Sequence, residues 1–387
     1  TDCLFHGNSA EYSGGGMSSV YSYLNCERNV FTENSCENDG AGLYVYKYNA
    51  DISECEFIRN GNDGVYGGGL EIYDVNVTIT ECLFEDNTAY RGGGISLYNQ
   101  WSTTTRLEKN IFRGNRAVTA GGGMYTSASR NSEIYTNVFI DNEAQSGGGI
   151  GMYYASPHII NNTITGNNTT ANRGGGICAD YSSLPIVHNS IVRGNTSDTD
   201  SNRAEIYTAN TDCRVYVSNS NVNRSNSGGY GIITWRDGNI EEDPMFTDDY
   251  HISGRSPCVN AGARMVSLPD GSGSLTAPFR DIDDTFRPQD GEWDIGADET
   301  ALEAILEAID HPENLAISTY PNPFNSTLAI TAPSNASVII YDTHGKQVAD
   351  LGRGRIWNAG KDIPSGVYLV KAAMGDKVVE QKTVLVK

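Results

Sequence analysis

The sequence of 387 residues has few basic residues and no long apolar run. Twenty-seven Lys and Arg stand against 48 Asp and Glu, which gives a formal net charge of −21 and a pI near 4.6. This balance argues against nucleic acid and anionic membranes as partners. Because no run of about 18 apolar residues occurs, the sequence predicts no transmembrane segment.

Motifs of catalysis and metal binding are also missing. The sequence contains no CxxC and no Cys/His metal spacing, and its six histidines are scattered. HExxH, P-loop, GxSxG and SxxK motifs do not occur. We therefore predict no catalytic residue, no metal ligand and no cofactor. Glu71 and Asp180, which lie on outward positions of the repeats described next, are interpreted as solvated surface carboxylates.

A repeat with two markers fills roughly the first 200 residues. GGG or GAG triplets recur every 25 to 29 residues and precede an apolar residue, as in YRGGGISLY at 90–98. A second marker keeps step with them, because an apolar residue stands three places before each asparagine of a series. This series is Asn8, Asn34, Asn60, Asn87, Asn115, Asn142, Asn167 and Asn195. The period and the short strand-like runs are typical of one coil of a parallel β-helix per repeat.

Stacked coils place equivalent residues about 4.8 Å apart. A column of like residues therefore predicts whether its side chains face the core or the outside of the coils. Glycine at a tight corner avoids a clash with its own copies and can adopt positive φ. The asparagines are interpreted as a buried hydrogen-bonded ladder. Cys3, Cys26, Cys55 and Cys82 fall on inward positions, where a free cysteine acts as a small hydrophobe. Cys55 and Cys82 are expected on adjacent turns, where a single disulfide is compatible with their spacing.

Two outward columns are candidate binding surfaces. Four tyrosines, each four residues past the glycines, are candidate ligand-binding residues: Tyr46, Tyr73, Tyr98 and Tyr153. The alternative explanation is β-propensity together with ring stacking between coils. A second outward column is apolar, although the inward side chains of the same strands are apolar too. Its members are Leu4, Val30, Leu83, Ile111, Val138 and Ile191. We predict that a loop, the C-terminal domain or another subunit covers this apolar stripe, as a candidate partner interface.

Two resemblances concern the β-helix region. The GGG-I and FxxN markers resemble the repeats of polymorphic outer-membrane adhesins. DPMF at 243–246, SPCVNAG at 256–262, RP at 287–288 and DIGADE at 294–299 resemble a choice-of-anchor module, which follows many bacterial right-handed β-helices. An aspartate cluster inside this stretch is a candidate for structural calcium, although the resemblance favours a structural turn: Asp281, Asp283, Asp284, Asp290 and Asp294.

The C-terminal segment opens with the motif Tyr320-Pro321-Asn322-Pro323-Phe324-Asn325. With IYDTHGKQV and SGVYLVKA further on, it resembles the C-terminal sorting domain of the type IX secretion pathway. The resemblance implies an immunoglobulin-like sandwich, contact with the secretion machinery, and delivery to the outer cell surface or the extracellular space.

The predicted fold class is therefore all-β, with a right-handed parallel β-helix of about 8–10 turns and a small immunoglobulin-like sandwich. We expect β-helix repeats over 1–242, the terminal module over 243–299, a helical linker over 300–313 and the sorting domain over 314–387. Since residue 1 already lies inside a repeat, we expect either a mature product or fragment, or a first turn completed by something else.

The leading functional hypothesis is a non-catalytic secreted surface protein. Such a protein is an adhesin, or a structural subunit of a layer or filament that stacks head to tail through unpaired strand edges. The alternative is an extracellular polysaccharide lyase or hydrolase, or a glycan-binding β-helix module. Expected partners are further copies of the chain or other surface proteins, glycans and the secretion machinery.

Overall fold

The computed structural model describes residues 1–99, 103–130, 132–171, 173–198, 203–247, 250–289, 291–301, 317–332, 336–374 and 377–387. The chain divides into two compact units, Thr1–Ala304 and Ile305–Lys387. Most of the helical linker predicted at 300–313 lies outside the described residues. The domain boundary predicted at 242/243 stays a prediction.

The first unit is a right-handed parallel β-solenoid of about 8 turns, which confirms the predicted fold class. Successive turns add one strand to each of three parallel sheets, and each sheet has nine strands. We name them the phenylalanine sheet, the glycine sheet and the third sheet.

The phenylalanine sheet contains Leu4–His6, Val30–Thr32, Glu56–Ile58, Leu83–Glu85, Ile111–Arg113, Val138–Ile140, Thr163–Thr165, Ile191–Val192 and Asn221–Val222. The glycine sheet contains Met17–Val20, Leu43–Tyr46, Leu70–Tyr73, Ile95–Tyr98, Met124–Ser127, Ile150–Tyr153, Ile177–Asp180, Ile206–Thr208 and Gly228–Gly229. The third sheet contains Leu24–Glu27, Ala50–Ser53, Val77–Thr80, Thr105–Glu108, Glu133–Tyr135, His158–Ile160, Ile186–His188, Arg214–Ser218 and Ile232–Trp235.

Shorter elements complete this unit. A five-stranded parallel sheet before the glycine corners contains Thr88–Arg91, Arg116–Ala120, Glu143–Ser146, Asn168–Thr169 and Thr196–Ser197. The remaining elements are the strands Ser9–Ala10 and Ser35–Cys36, a 3-10 helix at Arg224–Asn226, and an antiparallel hairpin of Met265–Ser267 and Ser274–Thr276.

A column of stacked rings runs through the core beneath the phenylalanine sheet. Its members are Phe5, Phe31, Phe57, Phe84, Phe112 and Phe139. Neighbouring centroids are 4.5–4.9 Å apart and the ring planes lie within 7° of parallel. This separation equals the spacing of strands in a sheet, so every ring rests on its counterpart one coil away.

The asparagine ladder is present, with every step joined by side-chain hydrogen bonds. At Asn115, Oδ1 accepts the backbone N–H and the side-chain amide of Asn87, at 3.1 and 2.9 Å. Its Nδ2 donates to Phe84 O at 2.8 Å and to Asn142 Oδ1 at 2.9 Å. Beyond Asn195, the buried carboxyl group of Glu205 accepts the side-chain amide at 2.7 Å and so replaces the next rung.

Each glycine of a triplet meets a different constraint, as the triplet Gly92–Gly94 illustrates. The first glycine has φ +66°, in the left-handed region that favours glycine. A Cβ on the second would lie 2.5 Å from Gly122 O in the next coil. A Cβ on the third would lie 2.6 Å from Gly123 O and 3.0 Å from a ring carbon of Phe112. Backbone contact between coils therefore accounts for the glycines.

The cysteines depart from expectation in two ways. Cys3 is exposed instead of inward. All eight cysteines lie within the described residues and are free thiols. The disulfide between Cys55 and Cys82 that the sequence allowed is therefore not formed. The closer sulfur pair is Cys26 and Cys55, whose Sγ atoms are 3.8 Å apart.

The second unit is a sandwich of two antiparallel sheets. One contains Ser318–Tyr320, Thr327–Thr331 and Ile356–Asn358, and the other contains Ser337–Asp342, Gln347–Gly352, Gly366–Met374 and Lys377–Leu385. Leu328 and Trp357 of the first sheet pack with Val338, Ile340 and Val370 of the second in a single buried core.

Candidate ligand-binding groove

Two columns of side chains point outward from the glycine sheet, because alternate residues of a strand face opposite sides. The register of the sheet places Tyr46, Tyr73, Tyr98, Ser127, Tyr153 and Asp180 in one column. It places Tyr44, Glu71, Ser96, Tyr125 and Gly151 in the parallel column. The structure therefore aligns the four tyrosines predicted from the sequence.

The tyrosine rings mostly stack on each other. The rings of Tyr73 and Tyr98 are 4.7 Å apart at 20°, and those of Tyr46 and Tyr73 are 5.4 Å apart at 45°. The stacked column of tyrosine rings ends at Ser127. On the next coil, the ring of Tyr153 packs on the ring of Tyr181, with centroids 4.5 Å apart. Ring faces are thus available to a ligand where Ser127 interrupts the column, and not along its whole length.

Glu71 is buried, and the prediction that it is a solvated surface carboxylate was wrong. Only 4% of the residue is exposed, since tyrosines of both columns flank it. Burial raises the pKa of Glu71 well above its usual range, and the charge of Asp39 adds to this, against an opposing effect of the Ser96 hydroxyl. Oε2 of Glu71 has no hydrogen-bond partner among the described residues. A buried carboxyl group with a raised pKa therefore lies in the wall of the groove.

Asp39, Tyr66 and Arg91 form a third column at the edge of the sheet, each directly before a glycine corner. The Arg91 guanidinium donates to Tyr125 Oη at 3.2 Å and lies 5.1 Å above the centre of that ring. No carboxylate of the described residues approaches Arg91 within 4.0 Å. Asp39 is half-buried, and burial raises the pKa of its carboxyl group.

These side chains enclose a groove of about 460 Å³. Its walls are Asp39, Tyr66, Glu71, Tyr73, Arg91, Ser96, Tyr98, Tyr125, Ser127 and Tyr153. Aromatic walls with a few converging polar groups are typical of small-molecule sites. A larger cavity of about 640 Å³ lies between the third sheet and the hairpin. There Arg106 already pairs with Glu108 and Glu133, at 2.8 and 2.6 Å, so its charge is satisfied.

The apolar stripe is not one continuous exposed surface. Val138 and Ile191 are fully buried, and Val30, Leu83 and Ile111 are partly buried, whereas Leu4 is 66% exposed. The same chain provides the cover. Ile191 packs with Ile252 and Ile295, Val138 packs with Ala297, and Ala297 N donates to Thr163 Oγ1 at 3.0 Å. The buried residues of the stripe are therefore not available to a partner.

The covering segment has a buried polar centre of its own. Arg287 and Glu299 form a fully buried ion pair at 2.9 Å, and burial raises the pKa of Asp294 to about 7. Asp281 accepts the backbone N–H groups of Asp283 and Thr285 at 3.0 and 2.6 Å. Of the aspartates considered for calcium, Asp281 thus forms a turn and Asp290 lies outside the described residues.

One further group of side chains in this segment could hold a cation. The side-chain ligand atoms of His251, Asp283 and Asp298 lie within 4.8 Å of one another. His251 Nε2 is 2.8 Å from Asp283, and Asp298 accepts the Ile252 N–H at 2.9 Å. Contacts inside the segment therefore account for this group, and it provides no separate argument for a metal.

The Tyr320–Asn325 motif is fixed at one edge of the C-terminal sandwich. Phe324 is buried in its core, and its backbone N–H donates to Val384 O at 2.8 Å. The side chain of Asn322 donates to Lys382 O at 3.1 Å and accepts the Val384 N–H at 2.9 Å. Tyr320 remains 79% exposed. The motif thus docks the start of the domain onto its last strand.

Comparisons with known families match both units. Residues 1–102 and 23–192 match the family described as right handed beta helix region, and residues 318–387 match the secretion system C-terminal sorting domain. This chain is a secreted, cell-surface protein. The sorting domain of the secreted protein implies an interaction with the type IX secretion machinery. No curated protein matches the chain. Within the described residues, no helix is long and apolar enough to cross a membrane.

Sequence reasoning located the tyrosines but missed Arg91, Asp39 and the burial of Glu71. A signal for the first two was present, since Asp39 and Arg91 each directly precede a glycine corner. The burial of Glu71 depends on side chains from three columns and has no single counterpart in the sequence.

Proposed function

We propose that this secreted protein is a non-catalytic adhesin that binds a carbohydrate chain in the groove of the glycine sheet. The rod of coils displays the groove, and the sorting domain brings the rod to the cell surface. Glycan binding by the groove joins the leading hypothesis from the sequence, an adhesin, to part of the alternative, a glycan-binding module.

One observation carries the proposal: the groove combines tyrosine faces that no other ring covers with polar and charged side chains. Carbohydrate rings have apolar faces that pack on aromatic rings and a rim of hydroxyl groups that need hydrogen bonds. Tyr98 and Tyr153 supply ring faces. Arg91, Ser96 and Ser127 supply the charged and polar groups of the same groove.

A glycan array probed with the intact protein tests this proposal. We expect binding by the wild type and at least about tenfold weaker binding by Tyr98→Ala, which loses one ring contact. Tyr12→Ala is the matched control, since Tyr12 is 74% exposed and does not line the groove. Equal losses in the two variants, or no binding of any glycan by the wild type, would overturn the proposal.

Glycoside hydrolysis is the second candidate, and one feature favours it. Hydrolases use a protonated carboxyl group beside a second carboxylate, and Glu71 and Asp39 both line the groove. Turnover distinguishes this candidate from binding alone. A hydrolase would release new reducing ends, and Glu71→Gln would abolish this release while preserving binding. Binding without product would leave the adhesin as the function.

A further inference from the structure

The interruption of the tyrosine column forms a slot with an aromatic ring on each side. Ser127 lies in register between Tyr98 on the preceding coil and Tyr153 on the next. Two coil spacings separate the two tyrosine positions by about 9.6 Å. A ring placed midway would lie about 4.8 Å from each tyrosine, within the range of ring–ring contacts.

The far sides of both tyrosines are already covered. Tyr73 stacks on Tyr98 at 4.7 Å, and Tyr181 packs on Tyr153 at 4.5 Å. The face of each ring opposite these contacts therefore lies on the side of Ser127. This arrangement selects a single flat or chair-shaped ring and not an extended apolar surface.

One charged group beside the slot has hydrogen-bonding capacity that the described residues leave unused. Arg91, on the coil of Tyr98, has no carboxylate of the described residues within 4.0 Å. Its Nε donates to Thr119 Oγ1 at 3.4 Å and one terminal nitrogen donates to Tyr125 Oη at 3.2 Å, which leaves the other terminal nitrogen without a partner among these contacts. Arg91 lines the same groove as the slot. A guanidinium matches a carboxylate through two parallel hydrogen bonds, so a ligand carboxylate is the complementary group.

We infer that the slot binds one carboxylated sugar residue of the glycan, and this inference rests on the proposed function. Its ring lies between Tyr98 and Tyr153, and its carboxylate pairs with Arg91.

Titration calorimetry with a galacturonic acid trisaccharide and its methyl ester tests the inference, because the two probes share their rings and differ in charge. We expect the acid to bind at least about tenfold tighter than the ester, the effect of one hydrogen-bonded charge pair. Arg91→Gln should remove this difference and Arg91→Lys should restore part of it. Arg59→Gln, on an exposed arginine paired with Glu33 outside the groove, is the control and should behave as the wild type.

A second variant keeps the test independent of folding. Ser127→Tyr fills the slot with the missing ring of the column, so the thermal midpoint should be retained while binding of the trisaccharide is lost. Equal binding of acid and ester would overturn the carboxylate inference and leave glycan binding intact. Tighter binding of a sulfated than of a carboxylated oligosaccharide would also overturn it. Failure of every glycan to bind would remove the proposed function as well.

Discussion

Replacement of Asn115 by alanine removes one complete rung of the ladder. Four side-chain hydrogen bonds disappear, to Asn87 N, Asn87 Nδ2, Phe84 O and Asn142 Oδ1. Both Asn115 and Asn87 are fully buried, so water does not replace the lost partners. With about 1 kcal/mol for each bond, Asn115→Ala should lower the free energy of unfolding by about 4 kcal/mol.

Asn8 provides a matched control at the first rung. It is exposed, and its side chain makes one hydrogen bond, from Nδ2 to Asn34 Oδ1 at 3.0 Å. Asn8→Ala should therefore cost about 1 kcal/mol or less. Urea unfolding measures both values, and hydrogen exchange reports whether the coils next to Asn115 open first, as neighbour coupling in a solenoid requires. Equal destabilisation of the two variants, or a loss below about 1 kcal/mol for Asn115→Ala, would refute the ladder as a stabilising element.

Two further predictions concern the ladder end and the corners. Burial raises the pKa of Glu205 from 4.5 to about 7, so the folded state holds this proton more tightly and stability falls as pH rises through that window. Between pH 4 and 8, Glu205→Gln should reduce the change in the free energy of unfolding with pH by about 3 kcal/mol, as measured by urea unfolding. An unchanged pH profile would contradict the raised pKa of Glu205. Gly94→Ala should lower the thermal midpoint because its Cβ would lie 2.6 Å from Gly123 O, whereas Gly7→Ala, with open space around it, tests the cost of positive φ alone. Similar shifts in the two variants would argue against the contact between coils.

The sequence predicted the parts of the fold that repeat. A period of 25 to 29 residues, read with the strand spacing, was enough to place the phenylalanines, the asparagines and the four tyrosines in columns. These predictions succeed because each coil imposes the register of the next, so one correct alignment fixes all the others.

The parts that the sequence did not predict depend on contacts outside the repeat. Glu205 replaces a rung ten residues after Asn195, where the period is broken, so no column contains it. Glu71 has the position of a surface residue in its own strand and is buried by neighbouring columns. The cover over Ile191 comes from residues far along the chain, such as Ile252 and Ile295.

The most direct test of the account is a crystal structure of the protein with a bound carboxylated oligosaccharide. We predict density for one sugar ring over Ser127, between Tyr98 and Tyr153, with its carboxylate against Arg91. Density for the oligosaccharide in the cavity beside Arg106 and Leu275, with the slot empty, would contradict the account.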